Sequence, residues 1–405
     1  MMGLSGGGDS MALACLLGRL AEQDGRPFHA VIFDHALRPE SAAEAGQASR
    51  RAAALGAEVR ILRWGEPRKS QQAARLARHR ALAETARELG SDRIFLGHTR
   101  DDYLETLAMR LARRSRGRSL TSMSMDDASP VWPEGRGQRI LRPLIDTPRR
   151  VLRHYLQERD VAWVDDPTNL DRRYERVRLR QSGQIEDPVL LGEAEAMART
   201  TGRFETMLSR NAARHLHHSA RMTAWGGVVF DRYLFLSAHS LVRRRGMELA
   251  MLAVSGERDL PGPARVRMLL AALRAGASTT AAGAMMETSG TLGRDPGAAS
   301  GRADGVQAAR PLVLGAGETG VFDGRFLVTA RSPLRVRAAG RDGPILSDVP
   351  PAFRSGTPLV ELADGNRLAA SACEAAGFGT LRFLGGERVE HLAFPFTALS
   401  WFDGQ

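Results

Sequence analysis

The amino-terminal segment Ser5–Ser10 (SGGGDS) combines three glycines, two hydroxyls and one carboxylate directly before the apolar segment Met11–Leu20. Consecutive glycines let the backbone turn tightly and point several N–H groups at one anion. A helix over Met11–Leu20 would add its positive end, and the hydroxyls of Ser5 and Ser10 can donate to phosphate oxygens, although Ser10 could also cap the helix. The segment predicts a phosphate site; a glycine-rich turn that only begins a helix is the alternative.

Asp9 is an unusual member of such a loop, because a carboxylate repels phosphate unless a cation lies between them. A Mg²⁺ ion that bridges Asp9 to a pyrophosphate group removes the conflict. The loop lacks the Gly-Lys-Ser/Thr ending of a Walker P-loop, which excludes that class of phosphate site.

A second polar cluster occupies Gly97–Thr106 (GHTRDDYLET), after a short apolar segment. Asp102 and Glu105 lie three residues apart and so share a face of the predicted helix, while the positive helix start favours ionised Asp101 and Asp102. Together with His98, these carboxylates could hold Mg²⁺, bind substrate amines or accept a proton. An acidic first helical turn without any chemistry is the alternative.

Five arginines follow closely, and the chain carries a formal net charge of +11, which suits a polyanionic partner. The clustered residues are Arg110, Arg113, Arg114, Arg116 and Arg118. Grouped guanidiniums pair with phosphates and stack on unpaired bases. Only Lys69 among the 57 basic residues is a lysine, so a GC-rich genome is a competing explanation for the arginines. A solvated helix end therefore stays open beside RNA contact.

Composition excludes several classes of protein. The two cysteines, Cys15 and Cys373, are far apart and argue against a disulfide scaffold, a zinc site or an iron–sulfur cluster. Every apolar segment is shorter than the roughly 18 residues of a membrane span, and no secretory signal is visible. We therefore expect a cytoplasmic protein.

The elements that must position these clusters alternate between strand and helix over residues 1–185, which predicts an α/β fold with a doubly wound parallel sheet. The predicted strands are Phe28–Phe33, Glu58–Trp64, Arg93–Gly97 and Arg139–Ile145. The predicted helices are Ser41–Leu55, Gln71–Leu89, Asp101–Arg114 and one that starts near Pro148. The turn Asp34–Ser41 then follows a strand at the edge where open parallel sheets bind ligands.

Residues 186–305 have a mostly helical pattern, with helices predicted over Asp187–Ser219, Ser240–Val254 and Pro263–Ala275. Gly293–Gly305 is rich in Gly, Ala and Asp and predicts a loop or linker. Short apolar segments alternate with turn residues from Pro311 onward, so a small β-rich domain is expected over residues 306–405.

Six segments, in order along residues 5–180, resemble motifs of the PP-loop ATP pyrophosphatases and, among them, of the lysidine synthetases. The first resembles SGGxDS, the second VDHxLRxES, the third xxARxxRY, the fourth GHHADDQAET, and the last two wxeDpSN and yxRNxiR. The corresponding segments are Ser5–Ser10, Asp34–Ser41, Gln72–His79, Gly97–Thr106, Trp163–Asn169 and Tyr174–Arg180. This chain departs from these patterns at Phe33, His79, Thr99, Arg100, Tyr103, Leu104 and Val177.

The resemblance implies a tRNA-modifying ligase that uses ATP and Mg²⁺. ATP would adenylate the C2 oxygen of the cytidine at the first anticodon position of isoleucine tRNA with a CAU anticodon. Free L-lysine would then displace AMP to give lysidine. Thiolating relatives need paired cysteines or a cluster, which this chain lacks. The alternatives are another adenylating tRNA-modifying or amide-forming PP-loop enzyme, or a non-catalytic tRNA-binding relic.

The resemblance also implies roles for individual residues. ATP binding falls to Ser5, Gly6, Gly7, Gly8, Asp9, Ser10, Asp34 and His35. The catalytic group is Asp9, His98, Asp101, Asp102 and Glu105, with Asp9 and Asp102 as Mg²⁺ ligands. The tRNA is expected to contact Arg110, Arg113, Arg114, Arg116, Arg118, Arg176 and Arg180, and also the helical region 186–305.

Only Met1–Leu4 precede the phosphate loop, where a doubly wound sheet has its first and central strand. A typical strand has about 5–6 residues, and Gly3 would weaken a shorter one. We therefore expect the native chain to begin upstream of Met1.

Overall fold

The computed structural model describes residues 1–67, 70–115, 120, 123–164, 175, 178, 188–301, 308–340, 343 and 346–394. The chain divides into two compact units, Met1–Glu205 and Thr206–Gln405. Helix Pro188–Ser219 contains this boundary. The predicted division into residues 1–185, 186–305 and 306–405 stays a prediction.

The first unit is built on a six-stranded sheet with the strand order β3-β2-β1-β4-β6-β5. Its strands are β1 (Met2–Leu4), β2 (His29–Asp34), β3 (Glu58–Arg63), β4 (Arg93–Leu96), β5 (Asp126–Ala128) and β6 (Arg139–Leu141). All neighbours are parallel except β5 and β6. The chain adds strands first on one side of β1 and then on the other, so the fold prediction of a doubly wound parallel sheet is confirmed.

Five helices accompany this sheet. They are α1 (Gly8–Asp24), α2 (Ser41–Ala54), α3 (Gln71–Glu88), α4 (Arg100–Ala112) and α5 (Arg149–Gln157). One core joins buried side chains of α1, α2 and α5 to the sheet, and a second core joins α3 to β2, β4 and β6. The predicted strands and helices of this region are thus present, with ends shifted by at most four residues, and β5 is an addition that the sequence did not predict.

The central strand β1 has only three residues but pairs along both edges, with β2 and with β4. A Cβ atom on Gly3 would lie 2.9 Å from Cδ2 of Leu96, so glycine here allows β1 and its neighbours to pack closely. Met2 and Leu4, the residues before and after Gly3 in the chain, are both buried. The upstream start of the chain stays a prediction.

The second unit begins with an antiparallel sheet of five short strands in the order β7-β8-β11-β10-β9. These strands are Ala220–Met222 (β7), Val228–Phe230 (β8), Thr279–Ala281 (β9), Ala284–Met286 (β10) and Thr291–Arg294 (β11). The helices of this region are Pro188–Ser219 (α6), Arg232–Ser237 (α7), Ser240–Ser255 (α8), Pro263–Ala275 (α9) and Pro296–Ser300 (α10). The predicted helices are present, and the sheet that packs with them was not predicted.

The loop predicted over Gly293–Gly305 is wrong for its first residues. Gly293 lies in β11, where a Cβ atom would be 2.7 Å from Cδ1 of Phe353, so this glycine allows close packing. Asp295 then accepts a hydrogen bond from the Gly297 N–H at 3.0 Å and caps α10, with Pro296 in its first turn. Residues 302–307 lie outside the described part.

The carboxy-terminal part contains two further antiparallel sheets, in the orders β12-β15-β16-β17 and β13-β14-β18. Their strands are Leu312–Leu314, Thr319–Phe322, Phe326–Ala330, Leu334–Ala338, Pro358–Leu362, Arg367–Ala369 and Gly379–Phe383 (β12 to β18). Helices Ala370–Ala375 (α11) and Gly385–Ala393 (α12) accompany them. The prediction of a β-rich carboxy-terminal region is confirmed. Within the described residues, no helix is long and apolar enough to span a bilayer.

Candidate active site

The predicted site residues follow the carboxyl ends of three neighbouring strands. Strands β1, β2 and β4 are parallel neighbours, so the loops that follow Leu4, Asp34 and Leu96 begin side by side. Gly97 makes the closest approach, because a Cβ atom there would lie 2.9 Å from the Ser10 Cα and 3.0 Å from the Asp9 backbone oxygen. Glycine at this position therefore brings the segment that starts at His98 against the first turn of α1.

The segment Ser5–Ser10 has the features of an anion site. Helix α1 begins at Gly8, and its N-cap residue Gly7 provides no side-chain cap, which leaves the first N–H groups of the helix for a ligand. Gly6 has φ +84°, a conformation that favours glycine, and a Cβ atom there would be 2.9 Å from the Ala48 Cβ.

Ser10 does not cap α1, because it lies inside the first turn. Its hydroxyl donates to the Gly7 carbonyl oxygen at 2.9 Å, and it accepts from the Ser5 hydroxyl at 3.0 Å. These contacts hold the loop in its turned conformation. The Val164 N–H also donates to the Gly6 carbonyl at 3.0 Å, so the start of the Trp163–Asn169 motif lies against the loop; residues 165–169 are outside the described part.

Arg149, the first residue of α5, joins the carboxylates of two predicted clusters. Its Nε donates to Asp9 Oδ2 at 2.8 Å, and its Nη2 donates to Asp102 Oδ1 at 3.1 Å. Its Nη1 lies 3.8 Å from Glu105 Oε1, and its backbone N–H donates to Asp101 Oδ2 at 2.8 Å. One arginine thus brings together all four acidic residues of the predicted catalytic group.

Arg149 was not among the residues predicted from the sequence. Its only local feature is its place after Pro148, at the start of a helix, and one arginine does not stand out in a chain with 57 basic residues. The useful signal is indirect. Asp9 lies in the first turn of α1, and Asp101 and Asp102 lie in the first turn of α4. Carboxylates that are grouped and partly buried in this way require a cation in contact with them.

Burial raises the pKa of Asp9 above its ordinary value, although the Arg149 charge and hydrogen bond act in the opposite direction. Burial acts to lower the pKa of Arg149, but the charges of Asp102, Asp9 and Glu105 outweigh it and raise that pKa. The guanidinium therefore stays charged. Arg149 with the carboxylates of Asp9, Asp102 and Glu105 has a formal charge of one plus against three minus, so negative charge is in excess. The site is suited to a further cation.

Asp102 has two structural contacts besides Arg149. Its Oδ2 accepts from the Thr99 N–H at 2.9 Å and from the Thr99 hydroxyl at 3.0 Å, which forms a capping box at the start of α4. Thr99, a departure from the family pattern, is therefore the N-cap of the helix that carries the acidic residues. Glu105 is buried, with 3% of its side chain exposed.

Asp34 and His35 lie at the end of β2, beside the end of β1. Asp34 is buried and its Oδ1 accepts from the Ala36 N–H at 2.8 Å, which fixes the turn in which Ala36 has φ 51°. His35 Nδ1 is buried without a hydrogen-bond partner among the described residues. Burial, followed by the charge of Arg78, lowers the pKa of His35, so the ring stays neutral.

His98 contacts an arginine that follows β6. Arg142, with 5% of its side chain exposed, donates from Nε to His98 Nδ1 at 3.2 Å. The nearby His79 is also buried, and burial together with Arg78, Arg75 and Arg142 lowers its pKa to about 2. The neighbourhood therefore combines one buried guanidinium with a neutral imidazole at His79.

Two departures from the family pattern pack against helix α6. Arg100 donates from Nη2 to Glu195 Oε2 at 3.1 Å, and the Arg199 guanidinium lies 4.8 Å from the ring centroid of Tyr103. Arg199 also donates to Asp146 Oδ1 at 2.5 Å. Arg100 and Tyr103 therefore have a structural role that accounts for their presence without loss of the acidic residues beside them.

The arginines predicted to bind tRNA are only partly described. Arg110 is half-buried, and burial lowers its pKa despite the opposing charge of Asp127. Arg113 pairs with Glu175 at 2.5 Å while two thirds of its side chain stays exposed, and Arg114 is exposed with φ 55°. The remaining predicted residues, Arg116, Arg118, Arg176 and Arg180, lie outside the described residues.

The acidic residues can be compared with the needs of a Mg²⁺ ion. Asp9 Oδ1 is buried and has no hydrogen-bond partner among the described residues, so it can serve as a ligand. Both oxygens of Asp102 are engaged, and Oδ1 would exchange Arg149 for the ion. The described residues contain no group of three or more His, Cys, Asp or Glu placed to hold a metal together. Asp9 and Asp102 would be enough for Mg²⁺, which usually binds through one or two carboxylates, water and substrate phosphates.

Comparison with known proteins identifies the group to which this arrangement belongs. Residues 1–184 match the PP-loop domain family. The tRNA(Ile)-lysidine synthase of Caulobacter vibrioides is 35% identical over 381 residues, which cover 90% of this chain and 84% of that protein. The chain belongs to the tRNA(Ile)-lysidine synthase family. It is therefore related to ATP-dependent ligases that form a carbon–nitrogen bond, as the sequence predicted.

Other members of the tRNA(Ile)-lysidine synthase family show the same relation. The Rhizobium meliloti enzyme is 33% identical over 371 residues, covering 85% of this chain and 76% of its own length. The Hyphomonas neptunium enzyme is 43% identical over 178 residues, 44% of this chain and 48% of that protein. Among solved structures, the U34-tRNA thiolase NcsA from Methanococcus maripaludis matches with a TM-score of 0.40 and 18% identity, over 50% of this chain and 70% of that one.

Proposed function

We propose that this protein converts the cytidine at the first anticodon position of isoleucine tRNA, with a CAU anticodon, into lysidine. The observation that carries the proposal is the geometry around Arg149: an uncapped helix start that can bind phosphate lies against four carboxylates, one with an unpartnered oxygen among the described residues. Membership of the tRNA(Ile)-lysidine synthase family supports this assignment.

In the first step, the C2 oxygen of the cytidine attacks the α-phosphorus of ATP. The new bond joins oxygen to phosphorus, the bond to the bridging oxygen breaks, and pyrophosphate leaves with that electron pair. The N–H groups of Gly8 and its neighbours, with the Ser5 hydroxyl, would bind the phosphates, while Asp34 and His35 border the nucleotide. Mg²⁺, held by Asp9 and in part by Asp102, would neutralise the charge on pyrophosphate.

In the second step, the amine of free lysine attacks C2, the bond from C2 to the adenylated oxygen breaks, and AMP leaves. Adenylation is needed because an amide-like oxygen is a poor leaving group and AMP is a good one. Asp101, Asp102 and Glu105 carry negative charge close together and would attract the ammonium groups of lysine. A carboxylate of this group would accept the proton that the attacking nitrogen loses.

The departures from the family motifs at Thr99, Arg100 and Tyr103 leave this chemistry intact. Arg100 and Tyr103 contact Glu195 and Arg199, and Thr99 supplies the helix cap, while Asp9, Asp102 and Glu105 stay in contact with Arg149. A tRNA-binding relic would have no need for carboxylates beside a phosphate loop, where they weaken binding of a polyanion. We therefore favour an active enzyme over the relic.

The test is to incubate the protein with ATP, Mg²⁺, free lysine and an unmodified isoleucine tRNA transcript. We expect AMP and pyrophosphate in equal amounts, together with a lysidine residue at the first anticodon position in the mass spectrum of the digested tRNA. Methionine tRNA is the matched control and should give neither product. Release of ADP, or AMP formation that does not depend on lysine and tRNA, contradicts the proposal.

A further inference from the structure

Arg142 is a buried arginine held by several hydrogen bonds. Its Nη1 donates to the Ser124 carbonyl at 2.8 Å and to Asp127 Oδ2 at 2.5 Å, and its backbone N–H donates to the Met125 carbonyl at 2.8 Å. Only 5% of its side chain is exposed. Two hydrogen bonds of the guanidinium, one of the backbone and burial thus fix the direction in which the Nε–H points.

That Nε–H points at His98. The contact joins Arg142 Nε to His98 Nδ1 at 3.2 Å. A guanidinium has only donors and keeps all its protons at any working pH, so Nδ1 must accept. In a neutral imidazole, one nitrogen accepts and the other carries the proton. The contact therefore assigns the proton of His98 to Nε2.

His98 also lies where a donor is useful. Gly97 precedes it and approaches the first turn of α1 so closely that a Cβ atom would be 2.9 Å from the Ser10 Cα. The ligand expected at this helix start is a phosphate group, and phosphate oxygens accept hydrogen bonds but do not donate them when ionised. An Nε2–H matches such an oxygen, whereas a deprotonated Nε2 would face it lone pair to lone pair.

We propose that Arg142 is a positioning residue that holds His98 as its Nε2–H tautomer, so that His98 donates a hydrogen bond to a nucleotide phosphate oxygen and does not act as a base. The assignment of that phosphate to a nucleotide rests on the proposed function. No bond to His98 forms or breaks: its N–H stabilises charge on phosphate oxygens while the C2 oxygen attacks phosphorus. The proton released from lysine then goes to a carboxylate.

The tautomer can be measured without any turnover. Long-range ¹H–¹⁵N correlation spectra of protein with ¹⁵N-labelled histidine distinguish Nε2–H, Nδ1–H and doubly protonated rings. The chain has 10 histidines, and the signals that disappear in His98→Asn identify His98. We expect the Nε2–H pattern for His98 at neutral pH in the wild-type protein. An Nδ1–H or doubly protonated ring overturns the proposal.

The role of Arg142 is tested with Arg142→Met, which removes the donor and keeps similar bulk. We expect His98 to change to a mixture of tautomers and kcat for AMP release to fall at least about 10-fold, with the KM for lysine nearly unchanged. Asp127→Asn is the second variant, because it keeps Arg142 in place and should retain the wild-type tautomer. If Arg142→Met does not fold, the wild-type spectrum still decides, and an unchanged tautomer in a folded Arg142→Met protein removes Arg142 from this role.

Activity separates a donor from a base. Glutamine places an amide N–H near the position of the imidazole Nε2, so His98→Gln should stay within about 10-fold of the wild type, while His98→Ala should lose about 10²-fold or more, the scale of a missing transition-state donor. Equal losses in the two variants overturn the donor role. Should the wild type make no lysidine, the proposed function fails, whereas the tautomer result stands independently.

Discussion

Two buried ion networks, one in each unit, have opposite charge balance. In the first unit, Arg149 contacts the carboxylates of Asp9 and Asp102 and lies near Glu105, so negative charge is in excess. In the second unit, the single carboxylate of Asp323 contacts two arginines, Arg294 at 3.2 Å and Arg325 at 2.8 Å, so positive charge is in excess.

The two excesses are balanced in different ways. Each arginine of the second unit also donates one hydrogen bond to a main-chain carbonyl, Arg294 to Ser255 and Arg325 to Gly356. Burial lowers the pKa of Arg325 despite the charge of Asp323. The first network instead leaves Asp9 Oδ1 buried without a partner in the described residues, beside an uncapped helix start. An unmatched atom alone does not mark a ligand site, because Arg294 Nε in the second network is also buried without a partner among the described residues. The first network differs because its unmatched atom is a carboxylate oxygen beside a helix start that can bind phosphate.

Asp323→Asn gives the largest expected effect on this comparison. Asparagine has the same shape and tolerates the φ of 51° at this position, but it leaves two buried guanidiniums without their carboxylate. Removal of one partner from a buried ion pair costs about 3–5 kcal/mol. We expect the free energy of unfolding, measured with urea, to fall by that amount for the transition of the second unit. The rate of AMP release by folded protein should not change; a slower rate with unchanged stability contradicts the structural role.

Asp102→Asn tests the first network through activity. The amide oxygen can still accept from the Thr99 N–H, so the start of α4 should keep its cap, while the charge opposite Arg149 is removed. We expect lysidine formation to slow at least ~10²-fold with little change in melting temperature. Turnover near the wild-type rate would remove Asp102 from the chemistry.

The matched control is Asp126→Asn. Asp126 pairs with Arg139 at 2.7 Å, and the two side chains are 10% and 17% exposed, comparable with Asp102 and Arg149. It lies on the edge strand β5 and belongs to no predicted site. We expect Asp126→Asn to form lysidine at the wild-type rate. This result separates the general effect of breaking a buried ion pair from the effect of breaking the pair with Arg149.

Some elements of the fold and of the site could be predicted from the sequence, and others could not. The strands and helices around the phosphate loop were predicted because short apolar segments alternate with longer helical ones, several of them bounded by glycine or proline. The strands β7 to β11 were missed, since three- or four-residue strands such as Ala220–Met222 (ARM) contain no alternation to detect. Arg149 was missed because its role comes from a contact between α5 and residues 47 and 140 positions away in the chain.

The arginine cluster gives an intermediate effect. Arg113 pairs with Glu175 but stays two thirds exposed, so it can exchange this partner for a phosphate. We expect Arg113→Ala combined with Arg116→Ala to weaken tRNA binding and to reduce the slope of log K against log salt by roughly 0.7–0.9 for each phosphate that the variant no longer binds. ATP affinity should be unchanged. An unaltered salt slope assigns this cluster to the solvated surface.

The smallest expected effect is the pH-dependent contribution of the Asp9 carboxyl group to the stability of the protein. Because burial raises the pKa of Asp9 above 3.8, the folded protein binds a proton here at pH values where the unfolded chain has released it. Stability from this group is therefore complete below about pH 4 and is lost as the pH rises through the folded pKa. Asp9→Asn cannot ionise, and its amide oxygen can still accept from Arg149 Nε. We expect the variant to melt at a higher temperature than the wild type at pH 7, with a difference that shrinks towards pH 4, and to be inactive. A variant that melts lower at pH 7 would show that the Arg149 pair outweighs burial, and Asp9 would then belong with the structural pairs of the second unit.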